Sequence, residues 1–144
     1  MKSSVVLVLL SLSLSAFAGL DELLGDYKPT SGTGEATVTK ELVREADLFN
    51  PAQYEYRVSL WKDHHSLGQD TALEISPDGK SLEASGGNEC DDPGCYYFDM
   101  LDIKTSKPTP RSKPVIEVEY EGNHFSDGDS GDYDFSGTAK FIKK

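Results

Sequence analysis

The chain has 144 residues, 25 acidic against 14 basic, for a net charge of −11. That length supports one hydrophobic core. The negative sign repels nucleic-acid phosphates and anionic lipid heads, which argues against nucleic acid or a membrane surface as partner and favours a basic partner or simply solubility.

The first eighteen residues read as an export signal. Lys2 precedes an apolar run from Val5 to Leu14, and Ala16-Phe17-Ala18 supplies the small-x-small pattern of a cleavage site. The run is too short to cross a bilayer, and no other segment is long enough. Residues 19–144 are therefore expected to form a single exported β domain, periplasmic or extracellular.

Along that domain, Leu20 to Leu24 is expected to form one helical turn closing an end of a sheet. Asp26 to Thr30 reads as a short strand, Ser31-Gly32-Thr33-Gly34 as a turn, Glu35 to Val43 as a second strand and Asp47 to Pro51 as a loop. Tyr54 to Leu60 alternates apolar and polar residues with the period of two that a half-buried strand requires. Leu73 and Ile75 continue the pattern into Ser76-Pro77-Asp78-Gly79, a tight turn, and Leu82 and Ala84 follow with matching parity, which predicts a hairpin.

From Tyr96 to Ile103 both parities are apolar, with Phe98 and Met100 on one face and Tyr97, Leu101 and Ile103 on the other. A strand that is either central or covered on both sides is expected there. Lys104 to Pro114, with three prolines and four basic residues, reads as an extended connection. Ile116, Val118 and Tyr120 then alternate with Glu117, Glu119 and Glu121. The last strand carries Tyr133, Phe135, Gly137, Ala139 and Phe141 on one parity, its small members marking a close approach or a bend. About eight short strands in sequential hairpins predict an all-β fold, a small antiparallel up-and-down barrel, with an open β-sandwich as the alternative.

Two further resemblances bear on function. Gly25-Asp26-Tyr27 opens the first strand and resembles the Gly-x-Trp of lipocalins, with tyrosine in place of tryptophan. A lipocalin-like architecture implies a carrier of a small hydrophobic ligand, and Tyr54, Tyr56, Phe98, Tyr120 and Phe135 are the candidates to line its cavity, or else simply to fill the core. In architecture and charge the domain is also similar to small exported β-barrel inhibitors of lysozyme.

Cys90 and Cys95 flank Asp91-Asp92-Pro93-Gly94, and export favours a disulfide between them. A redox pair would be spaced by two residues, not four. The bond would pin Glu89, Asp91 and Asp92 on a rigid acidic projection suited to the basic cleft of a partner protein, the leading functional expectation. Asp127-Gly128-Asp129-Ser130-Gly131-Asp132-Tyr133-Asp134 resembles a calcium loop, but Gly131 takes the fifth position and no Glu closes it, so a solvated hairpin loop is expected. Were calcium to bind, Asp127, Asp129, Asp132 and Asp134 would be its ligands.

Gly128-Asp129-Ser130-Gly131 echoes the nucleophile motif of trypsin-like proteases over four residues only, in a chain about half the necessary length. His64, His65 and His124 could meet on zinc or copper at one end of a barrel, yet neighbours on a strand face opposite ways, so exposed loop histidines are expected instead. No catalytic constellation emerges, and neither an enzyme nor a cofactor is expected.

Overall fold

A computed structural model describes residues 19–86, 88–91, 94–126 and 132–144, with 88–91, 94 and 126 described by backbone alone. The stretch expected to be an export signal, Asp92, Asp127 and Asp129 lie outside the described residues. Nine strands are described: β1 Gly25–Pro29, β2 Gly34–Arg44, β3 Gln53–Lys62, β4 His65–Ile75, β5 Ser81–Ser85, β6 Asn88–Asp91, β7 Gly94–Ser106, β8 Val115–Ser126 and β9 Tyr133–Lys143. Every pairing is antiparallel, and β9 returns to β1 through Tyr27 opposite Lys143.

The sheet runs β5-β4-β3-β2-β1-β9-β8-β7-β6, and β5 also pairs with β7, which closes eight strands into a barrel-like ring. β6 continues β5 past a break at Gly86, pairing with the upper part of β7 while β5 pairs with the lower part. The expected up-and-down order is present. The sandwich alternative is not, because the sheet closes on itself.

Alternation puts Val38, Val58, Leu60, Ile103, Ile116, Val118 and Phe141 inside the ring, each at most 2% exposed. Such a side chain contributes roughly 2 kcal/mol relative to exposure. At the lower end, residues 19–21 make the expected helical turn, which sets Leu20 and Leu23 beneath the core as a plug. Tyr27, wholly buried, donates its hydroxyl proton to the Leu23 carbonyl at 2.6 Å. Lys40 and the Tyr56 hydroxyl both donate to Oδ1 of Asp21, each at 3.0 Å. Lys40 holds the Asp21 carboxyl below its ordinary range. At the upper end, Asp63 accepts from Lys62 and from the Thr33 backbone N–H, joining the β1–β2 and β3–β4 turns, and these donors lower its pKa to about 2.

Two expectations about facing are corrected. β7 is not apolar on both sides: Phe98 pairs with Gly122 and Met100 with Glu121, so Asp99 is an inserted bulge residue that reverses parity. Tyr96, Phe98, Leu101 and Ile103 consequently all face inward, while Tyr97 and Met100 face outward with 44% and 40% of their surface exposed. Ile75 keeps the parity of buried Leu73 but is 43% exposed, because it sits on the last rung of β4 with β5, at the rim of the ring.

Gly137, expected at a close approach, meets the Tyr120 ring: a Cβ there would lie 2.9 Å from the hydroxyl. No helix among the described residues is long and apolar enough to cross a membrane.

Candidate functional site on the β7–β9 face

The bulge at Asp99 requires a partner without a side chain. A Cβ on Gly122 would collide with the Tyr97 carbonyl and reach 3.0 Å from the Phe98 Cα, so only glycine permits this register. Beside the bulge the outer wall has a dent of about 360 Å³, bordered by Asp99, Glu121 and Asp134 with Asn123 and Ser136. Three exposed carboxylates thus face one depression. None has a Lys, Arg or His within 4.0 Å among the described residues.

Below the dent the register continues the charge. Asp102 stands opposite Glu119, two acids across one pair of strands, a juxtaposition that costs stability. The next row, Lys104, Glu117 and Lys140, carries two cations to one acid and ends the acidic band. Apolar groups edge the band: Met100 lies within it, and above it Tyr97 and Phe125, 44% and 46% exposed, meet edge to face at 5.4 Å. Unneutralised carboxylates beside exposed aromatics can hold a cationic side chain and cover its apolar stem.

The sequence-predicted residues fall in three places. Cys90 and Cys95 are register partners on β6 and β7, at the separation a cross-strand disulfide spans, and Cys95 is in turn opposite Phe125. The backbone of Glu89 and Asp91 therefore adjoins the upper edge of the acidic face, while Asp92 and the side chains of that turn lie outside the described residues. Of the calcium candidates, Asp134 borders the dent and Asp132 is exposed. Among the described residues no three His, Cys, Asp or Glu are grouped to hold a metal.

Tyr56, Phe98, Tyr120 and Phe135 sit in or against the packed core, whereas Tyr54 lies past the rim, 54% exposed. His65 and His124 differ from expectation. They are half-buried at the upper mouth of the ring, His65 stacked on Phe135 at 5.0 Å and His124 against Tyr96 at 4.5 Å. Nδ1 of each is buried with no hydrogen-bond partner among the described residues. His64 holds the tight turn in a left-handed conformation, φ 75°.

Asp99 and Glu121 are site residues that the motif reading missed. The available signal was the doubled parity at 96–103 beside a glycine in the next strand. No protein-family model, curated protein or solved structure matches this chain.

Proposed function

We propose that this protein is an exported, non-catalytic binding protein whose β7–β9 face engages a basic partner, in the manner of an inhibitor. The observation that carries the reading is the convergence of Asp99, Glu121 and Asp134 on one open dent without a cationic neighbour among the described residues. Keeping like charges together on a wall is unfavourable for the fold alone, and a Lys or Arg from a partner relieves it. The acidic turn at Cys90 to Cys95, held by a disulfide between the two, extends the same face. Tyr97 and Phe125 supply the aromatic anchors on which binding energy concentrates. The carrier reading has less support, since four of its five cavity candidates are taken up in core packing.

Surface plasmon resonance against lysozyme, as a cationic probe enzyme, tests the reading. Association should slow steeply with added salt, and Glu121→Lys with Asp134→Lys should slow it by about tenfold or more. Equal association rates for the wild type and the double variant would remove the acidic face from consideration.

A further inference from the structure

We infer that the protein self-associates into a twofold dimer through the lower ends of β2, β3 and β4, independently of the acidic face. Leu42, Tyr54 and Ile75 keep the inward parity of Val38, Val58 and Leu73, yet they are 50%, 54% and 43% exposed. β2 and β3 thus project below the ring as an apron with an apolar inner surface, and Ile75, on the last rung of β4 with β5, borders it at the rim. The apron borders a groove of about 640 Å³ lined by Val43, Ala52, Tyr54, Tyr56 and Ile75 together with the polar Lys40, Gln53 and Glu55.

Beside the groove, the loop from 45 to 52 presents the opposite shape. Oδ1 of Asp47 accepts from the backbone N–H groups of Phe49 and Asn50, at 2.8 and 2.7 Å, and the Asp47 N–H donates to the Asn50 carbonyl at 2.9 Å. Arg44 donates to the Pro51 carbonyl. So braced, the loop holds Leu48 and Phe49 in solvent, 95% and 91% exposed. Ordering a loop in order to hydrate two large apolar side chains is unfavourable unless something covers them, and preorganisation lowers the entropic cost of that covering.

The occupant that the geometry selects is a second copy. Knob and groove lie together at one end of each molecule, which is the self-complementary arrangement of a twofold contact: each knob enters the other copy's groove. Leu42, Val43, Leu48, Phe49 and Tyr54 are each at least half exposed, so knob and apron together form an apolar surface that a specific interface, about 800 Å² on each partner, would cover. Arg44 has no carboxylate within 4.0 Å among the described residues, while Glu41 and Glu45 beside it are likewise unpaired, so these charges can pair across the axis.

Charge also decides where an acidic chain can meet itself. In the ring, β3 and β8 are four strands apart in either direction, so the apron lies diametrically across from the acidic band. A dimer formed there leaves both acidic faces outward and as distant as the fold allows.

Sedimentation velocity of the exported protein up to about 100 µM is the test. A dimer is expected that tightens with salt, as screening weakens the repulsion between acidic copies, whereas lysozyme binding should weaken. Leu48→Asp with Phe49→Asp should raise the dimer dissociation constant by at least about tenfold, and Ile75→Glu on the groove side should do the same. The knob residues are so exposed that their replacement leaves the fold intact.

A wild type that stays monomeric, whether bare or with another molecule in the groove, overturns the inference, as does a dimer indifferent to both variants. Glu121→Lys should leave the dimer unchanged. Loss of lysozyme binding with the dimer retained, or the reverse, then tells which of the two readings has failed.

Discussion

The hydroxyl of Tyr96 on β7 donates to the carbonyl oxygen of His64, 2.8 Å away in the β3–β4 turn, so one side chain ties together two walls of the ring that do not pair. The tie matters because the neighbouring seam is weak: β4 and β5 share only the register pairs Glu74 with Glu83 and Ile75 with Leu82. Tyr96→Phe keeps the ring contacts with His124 and Phe135 but leaves the carbonyl without this donor. A loss of about 1 kcal/mol is expected. Thermal melts should show a fall of roughly 3 °C, and an unchanged midpoint would mean that the tie contributes nothing.

Gly122 is the position least able to accept a side chain. Gly122→Ala places a methyl against the Tyr97 carbonyl, and β8 must either shift or lose the bulge. A destabilisation of about 2 kcal/mol is expected from chemical unfolding. If the strands rearrange to dispense with the bulge, Asp99 turns away from the dent, and binding of the cationic probe should weaken more than the stability loss explains. Wild-type stability in this variant would show that the wall tolerates a side chain beneath Asp99.

The mouth should be sensitive to mild acid. Burial lowers the pKa of His65 below its ordinary 6.5, opposed by the Lys62 carbonyl and Asp63 and assisted by His124 and His64. Tyr96 and Tyr133 close the remaining sides as neutral rings. The folded state therefore binds this proton less readily than the unfolded chain. Stability is full above pH 6.5 and falls as the pH drops below 6.5 towards the folded value. His65→Gln should flatten the melting temperature between pH 7.5 and 5.5, about the range in which histidine titrates. If the wild type is already flat over that range, the imidazole is as free to protonate in the fold as outside it.

What the sequence disclosed follows from the range of each signal. Alternation of Ile116, Val118 and Tyr120 with glutamates is local, so the inward and outward faces of β8 were legible without coordinates. The bulge was not, because an inserted residue such as Asp99 looks like a strand with two apolar faces until Gly122 is known to stand across from it. Parity also says nothing of where a strand passes the rim, which is why Ile75 and Tyr54 read as interior. The gathering of His65 and His124 around Tyr96 and Tyr133, and of Asp99 and Asp134 around one dent, depends on pairings between distant segments. Those pairings follow from closure of the ring rather than from any local pattern.

The last prediction concerns the cysteine pair. Register partners on an antiparallel ladder lie about 4.5 to 5.5 Å apart at Cα, inside the range a disulfide spans, and among the described residues β6 has no register partner besides β7. A ring of this size restricts the unfolded chain little, so Cys90→Ser with Cys95→Ser should cost about 2 kcal/mol at most. The effect on recognition should be larger. Without the bond, β6 is held to β7 by a four-residue ladder, and the acidic turn must be ordered when a partner arrives, which slows productive encounter. The wild type purified from an oxidising compartment should have the mass of a two-hydrogen loss, and dithiothreitol should lower its melting point slightly while slowing association with lysozyme. An intact-mass spectrum at the fully reduced value would remove the bond, and with it the rigid projection on that edge of the face.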